Sequence, residues 1–514
     1  MEKKNNLSLR YWLLCAAAAA VYALLALSDN IWADEAYTFA MLRHSFPEIW
    51  RITAADVHPP LYYFLAKLVA MPFGYSQYAV RLFSAACCLL IIVVGGWEIT
   101  RLFDRKMGNI FMVLFLLYPF ALDRAVEARM YSLAALEVFL NALFAYRAWN
   151  SNRAGDWIGF VASGVCAAYT HYFALVSVGI VYGLLLLCAL LRKRSLLKSW
   201  LIVTLVSIVL YLPWMRSLIG QLTYKANNEY WIAPITPATL VDYLLDILHA
   251  GGNVGMPLFF GLLGLWLLLC LCWRRQGLPL LAGLVCVLTV AVGVGASLLL
   301  RPVFIIRYLV PCAPLLIFFL AWGLSGIRKD TLYGAAMGFL LAGFLGNLVF
   351  VCRDTLLPPE NKFGSAVVAQ TRQAQAYVCL SENAFHVHQV AAYYNPDVPI
   401  YTPETLGDAS PYPNVHSMED FSSQDYDTVL VFADEGVRPA EGFPRGYQSN
   451  LLGTYRDMNN TFDLWLLEKP QKPEEPEAPE EEVQEEAPEQ APQEETTPPA
   501  QGTAPAQEST AQEE

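Results

Sequence analysis

Charge is what this sequence has least of. Asp, Glu, Lys and Arg make up 16% of its 514 residues, while hydrophobic residues reach 56%. That balance excludes an ordinary soluble protein, in which charged residues reach about 25%. No Cys-x-x-Cys with a matching partner occurs, so a structural zinc site is not expected. Most of the 11 cysteines, among them Cys15, Cys87, Cys88, Cys188, Cys270 and Cys286, fall inside apolar runs. There they read as small hydrophobes, not as a disulfide framework. No internal repeat is evident. No small-residue cleavage motif follows the first apolar run, 11–27, which is therefore read as a retained helix and not a signal peptide. An excess of positive charge is missing too. The formal charge is −12, but the tail from Gln471 holds 14 Glu against one Lys, leaving the rest near neutral. Nothing here suggests nucleic-acid binding.

What the chain does have is apolar runs of the length that crosses a bilayer as a helix. They lie near 10–28, 80–100, 107–122, 129–148, 157–171, 173–191, 197–217, 256–273, 279–300, 307–325 and 332–352, about eleven spans. With a cytoplasmic N-terminus, the inner loops carry Arg101, Arg105 and Lys106; Arg147 and Arg153; Arg192, Lys193, Arg194 and Lys198; Arg274 and Arg275; Arg328 and Lys329. Every short loop assigned inside is basic, as the positive-inside rule requires. The expected protein is thus an all-α, multi-pass protein of the cell membrane.

The first outer loop, 29–79, is too long for a plain connector. Its apolar segment 59–73, interrupted by Lys67, suits an interfacial or re-entrant helix better than a span. A second outer loop, about 218–255, carries Tyr224, Tyr230 and Trp231, broken by Pro234, Pro237 and Gly251-Gly252. Those aromatics read as an interfacial belt or as the lining of a path for a lipid chain. The membrane domain, 1–352, is followed by 353–469, read as a small extracytoplasmic α/β domain. Its expected strands are 376–380, 398–401, 428–432 and 462–467, with a helix over 387–394. From 470 to 514, Pro, Glu, Gln, Ala and Thr dominate, a composition expected to be disordered.

Polar residues cluster where the topology puts the outer ends of the spans. Asp34 and Glu35 open the first outer loop in Ile31-Trp32-Ala33-Asp34-Glu35. Asp56 and His58 precede Pro59-Pro60-Leu61-Tyr62-Tyr63, and Arg81 opens the second span. Glu127-Ala128-Arg129-Met130-Tyr131 opens the fourth, His171 closes the fifth, and Arg307-Tyr308 opens the tenth. Each also has a plain reading. Asp34 and Glu35 could be ordinary loop acids, Arg81 and Arg307 could snorkel to headgroups, and Glu127 with Arg129 could be a local ion pair. His171 could be a satisfied interfacial histidine, and His386 with His388 are structural before they are metal ligands. Taken together, one face gathers a candidate base (Asp34), two imidazoles and several guanidinium groups. A guanidinium fork beside a carboxylate suits a reaction whose leaving group is a phosphate.

At these residues the chain resembles the GT-C superfamily of integral-membrane glycosyltransferases. The branch is that of bacterial relatives of protein O-mannosyltransferases and lipid A aminoarabinose transferases. The resemblance covers roughly 10–352 and rests on Asp34-Glu35, His58-Pro59-Pro60-Leu61-Tyr62-Tyr63, Arg81, Glu127 to Tyr131, Thr170-His171-Tyr172 and Arg307-Tyr308. It implies inverting transfer of a hexose or pentose from a polyprenyl-phosphate donor to an extracytoplasmic hydroxyl on protein, lipid or cell-wall glycan. By that likeness Asp34 is general base or orienting partner, supported by Glu35. Arg81, Arg129 and Arg307, with Tyr131 and Tyr308, bind the donor phosphate. His58, Asp56, Glu127 and His171 bind substrate. No metal is expected to be obligatory, although Asp34 with Asp56 leaves room for Mg²⁺ or Mn²⁺. Two other classes are compatible with a chain of this kind. A lipid-linked solute carrier or flippase predicts polar groups at the midplane of two related halves. A membrane-anchored assembly protein would use the acidic tail.

Overall fold

The computed structural model describes residues 8–29, 31–224, 232–248, 264, 277–357, 363–364, 374–380, 387–403, 410–439, 446–457 and 460–470. The expected span 256–273 (apart from Gly264), the loop aromatics Tyr230 and Trp231 with the side chain of Tyr224, the Gly251-Gly252 break, Arg274, Arg275, His386 and nearly all of the tail lie outside the described residues.

Helices stand at each of the other ten expected spans. They are α1 (Leu9–Ala26), α5 (Gln77–Leu102), α6 (Arg105–Leu117), α8 (Tyr131–Ser151), α9 (Ala154–Thr170), α10 (Tyr172–Arg192), α11 (Leu197–Tyr224), α13 (Gly277–Leu299), α14 (Ala313–Ser325) and α15 (Asp330–Leu356). Among the described residues, seven helical stretches are long and apolar enough to cross a membrane. The helices α6, α8 and α9 fall short of that measure, being shorter or more polar. The expected span 107–122 is broken at Tyr118-Pro119, where Tyr118 is extended and Pro119 starts a separate short helix, α7 (Pro119–Ala125). Proline restricts the residue before it and suits the first turn of a new helix, so a break here is expected. The stretch 307–325 likewise begins as a 3₁₀ segment, Ile306–Cys312, around Pro311.

The long connection after α1 holds more structure than its sequence suggested. It contains α2 (Ala33–Arg43), α3 (Phe46–Ala55) and α4 (Leu61–Ala70), the last followed by a 3₁₀ turn. A capping box starts α3, with Ser45 and Glu48 exchanging hydrogen bonds. The expected interfacial helix at 59–73 is α4. Lys67 there is buried and donates from Nζ to the Leu42 carbonyl at 2.6 Å, so it ties α4 to α2. One short helix, α12 (Pro237–Leu248), is described in the second long connection.

The C-terminal part is a six-stranded sheet in the order β3-β2-β1-β4-β6-β5. Its strands are β1 (Ala376–Cys379), β2 (Ile400–Thr402), β3 (Val415–Ser417), β4 (Thr428–Asp434), β5 (Gln448–Asp457) and β6 (Asn460–Glu468). The strands β3, β2, β1 and β4 pair in parallel, and β6 and β5 add antiparallel to β4. Residues of β1 and β4 are buried almost throughout, as central parallel strands require. The helix α16 (Val387–Tyr394) links β1 to β2 and packs on α2. The rings of Phe39 and Tyr393 meet tilted at 5.0 Å, and Tyr394 donates to the Asp29 carbonyl at 2.8 Å. The sheet therefore sits on the same end of the bundle as the first turn of α2.

Candidate active site

Asp34 and Glu35 lie in the first turn of α2, where unpaired backbone N–H groups favour carboxylates. Neighbouring residues on a helix point about 100° apart, so the two acids take different surroundings. Glu35 turns inward. Arg81 on α5 grips it with both arms, Nε to Oε1 at 2.9 Å and Nη2 to Oε2 at 2.6 Å. The Ala128 N–H adds a bond to Oε1 at 2.9 Å. Both members of the ion pair are buried. Glu35 thus pins α2 to α5 and to the turn before α8. Arg81 also donates to the Ser28 carbonyl. Its fork is engaged with Glu35 and with the chain before α2.

Asp34 is the more exposed of the two acids. Its Oδ2 lies 3.3 Å from Arg307 Nη1 and 3.8 Å from Arg129 Nε. Arg129 is buried, and its Nη1 donates to the Tyr63 hydroxyl at 3.2 Å and to the Asp34 carbonyl at 3.3 Å. Its guanidinium lies 5.9 Å from the ring of Tyr37, and that of Arg307 lies 5.9 Å from the ring of Trp32. Both cations are therefore backed by aromatic faces, a setting that suits the weakly hydrated guanidinium.

Beside this pair runs a second polar chain. Tyr37 donates to Asp56 Oδ2 at 2.9 Å, and the same oxygen is 3.5 Å from His58 Nδ1. Burial lowers the pKa of His58, with Asp56 pulling the other way. The ring of His58 lies 6.4 Å from that of His171. His171 caps α10 by accepting the Phe173 N–H on Nδ1 at 3.1 Å, which leaves the proton on Nε2 as a donor. Tyr131 and Tyr308 flank it at 5.7 and 5.1 Å.

Glu127 pairs with Arg124, at 3.1 Å, and not through its side chain with Arg129. Burial raises the pKa of its carboxyl against the pull of Arg124, and Glu35 and Asp34 add to the rise. Of the residues expected in the site, Asp34, Arg129 and Arg307 are joined directly. Tyr131, Tyr308, His171, His58 and Asp56 ring them, Glu127 is adjacent, and Glu35 with Arg81 forms the support. Trp32, Tyr37 and Tyr63 were not singled out as site residues, although all three stand in the quoted motifs or next to them. Among the described residues, no group of three His, Cys, Asp or Glu side chains is placed to hold a metal.

Residues 57–215 match the family described as dolichyl-phosphate-mannose-protein mannosyltransferase. No curated protein matches the chain by sequence. Among solved structures, ArnT from Cupriavidus metallidurans in the apo state aligns with a TM-score of 0.60 at 15% identity, covering 88% of this chain and 97% of that one. The same protein bound to undecaprenyl phosphate aligns with a TM-score of 0.57 at 14% identity, covering 89% and 98%. The family match covers about a third of the chain, and the solved structures establish the fold, which is that of ArnT along most of its length. The chain is a multi-pass membrane protein.

Proposed function

We propose that this protein moves a sugar from a polyprenyl-phosphate donor to a hydroxyl of an extracytoplasmic acceptor, with inversion at the anomeric carbon. One observation carries the reading: Asp34, an accessible carboxylate, is shared between Arg307 at its rim and Arg129 buried beneath it. The acid takes the proton of the incoming hydroxyl, or holds that hydroxyl in line, as its oxygen bonds to the anomeric carbon. The bond from that carbon to the phosphate oxygen breaks, and the phosphate departs with the electron pair toward the two guanidinium groups. Charge developing on the leaving oxygen meets donors already in place, where electrostatic stabilisation is most effective. Glu35 and Arg81 hold the first turn of α2 so that Asp34 keeps this aim. His58, Asp56, Glu127 and His171 line the sugar's side.

The site faces the extracytoplasmic side in this reading. Arg81 and Arg101 stand at opposite ends of α5, about 30 Å apart by helix rise. The basic loops gather at the Arg101 end, which the positive-inside rule assigns to the cytoplasm. No metal is obligatory, because the arginines supply the charge that a cation would bring. Transfer that stops in EDTA and returns with Mn²⁺ would overturn that part. The reading itself is tested with purified protein and a panel of polyprenyl-phosphate sugars, beside mass spectrometry of surface glycans from cells with and without the chain. Release of free polyprenyl phosphate from one donor, together with loss of one surface modification, is expected. Intact donors throughout and unchanged glycans would contradict it.

A further inference from the structure

Tyr37 is the hub of the site's second polar chain. Its hydroxyl donates to Asp56 at 2.9 Å, its ring stands under the Arg129 guanidinium at 5.9 Å, and its edge meets Tyr63 at 6.0 Å. Tyr63 in turn accepts from Arg129. A shift of Tyr37 would therefore move both Asp56 and the buried cation under Asp34.

The bundle does not enclose this hub alone. The C-terminal sheet domain delivers Tyr412, which is 5% exposed, onto the Tyr37 ring at 6.4 Å and 74°, an edge-on contact. Three bonds fix where that ring stands. The Pro411 carbonyl lies 3.0 Å from His44 Nε2, just past the end of α2. The Tyr412 N–H donates to Ser410 Oγ at 3.2 Å, and its hydroxyl donates to Gln389 Oε1 at 3.3 Å. Gln389 belongs to α16, the helix that packs on α2. The seating of the domain and the placement of the ring are thus one mechanical unit.

We propose that Tyr412 is a positioning residue for the transfer site: through Tyr37 it holds Arg129 and Asp56 in the arrangement that surrounds Asp34, so the appended domain completes the site. This rests on the glycosyltransferase reading above. Burial, then the charge of Asp34, raises the pKa of the Tyr412 hydroxyl well above the ordinary value, while Arg129 opposes the rise. The hydroxyl therefore stays protonated and serves as the tether to Gln389, while the ring makes the contact with Tyr37. An edge-on aromatic pair contributes through its geometry, which a smaller side chain does not reproduce.

The test uses the full chain in detergent or nanodiscs with undecaprenyl phosphate as the probe. Affinity and melting temperature are measured for wild type and for Arg129→Ala, Tyr412→Ala, Tyr412→Phe and Tyr394→Phe. Arg129→Ala reports on the reading itself, and Tyr394→Phe cuts a domain tether remote from Tyr37. Expected are a large loss for Arg129→Ala and about a tenfold loss for Tyr412→Ala. Tyr412→Phe should recover to within about threefold of wild type, and Tyr394→Phe should lower melting more than affinity. If Arg129→Ala weakens binding while Tyr412→Ala does not, the positioning role is wrong and the reading stands. If Arg129→Ala binds like wild type, the phosphate site is misplaced and both fall. Equal losses for the Ala and Phe variants, or for Tyr394→Phe and Tyr412→Ala, would also overturn the role. Should Tyr412→Ala lose its melting transition, Tyr412→Leu keeps the volume without the ring and carries the same expectations.

Discussion

The two ends of the helix bundle each hold an acid between two arginines, with opposite burial. At the end away from the site, Glu98 on α5 is 5% exposed, and its partners Arg147 and Arg101 are 33% and 54% exposed. At the site end, Asp34 is 24% exposed, and its partner Arg129 is 4% exposed. A buried acid ringed by accessible cations neutralises itself and leaves positive charge for headgroups, which is a structural arrangement. An accessible acid over a buried cation is the arrangement the proposed function uses: the carboxylate lies within reach of an incoming hydroxyl, with a desolvated guanidinium beside it for an anion. The same residue types meet at both ends, and what differs between the two clusters is which partner is buried.

Substitutions at the two ends should break this contrast or sharpen it. Asp34→Asn keeps shape but cannot accept a proton, and kcat is expected to fall by about 10²–10⁴-fold with donor affinity retained. Steady-state kinetics with the active donor checks both halves. Arg129→Ala removes the buried cation, with an expected loss of about 10²–10³-fold in kcat/KM. The same change at Arg307, which is more exposed, should cost less, so the ratio of the two losses measures what burial adds. Glu98→Gln at the opposite end should leave transfer at the wild-type level. Its cost in stability should be about 1 kcal/mol or less, since its arginines can turn to solvent. A transfer defect in that variant would erase the distinction between the ends.

The smallest effect is on stability against pH. His58 has a lowered pKa in the fold, so below about pH 6.5 the unfolded chain binds a proton that the native state refuses. Stability from this group is therefore full above that pH and drains as pH falls toward its folded value. Melting measured from pH 7.5 to 5 should show the slope, and His58→Phe should flatten it.

Much of the frame was legible because membrane helices announce themselves by length and apolarity. Charged residues at their ends stand out for the same reason: they are costly there unless used. Asp34, Arg129 and Arg307 stand out that way, and the fold brings the three together. What the sequence could not separate was Asp34 from Glu35, since both are acids in one helical turn and only tertiary packing sends one to Arg81. The helix α3 is marked in the sequence by its Ser45-x-x-Glu48 cap, a short signal beside the longer apolar run at 59–73 that stands out in the same loop. The strands β3 and β5 were missed for different reasons. The first is three residues long, and the second is an edge strand with polar faces and a register shift between Leu451 and Gly453. Tyr412 carries no local mark, because its meaning comes from a contact between distant parts of the chain.

The central claim is that Asp34 is reached from the extracytoplasmic side, over a seat for lipid phosphate. A membrane-impermeant maleimide applied to intact cells carrying Asp34→Cys measures this directly. The account predicts labelling without permeabilisation, and protection from it by undecaprenyl phosphate in the purified protein. Labelling only after the membrane is opened, or labelling that the lipid leaves unchanged, would contradict it.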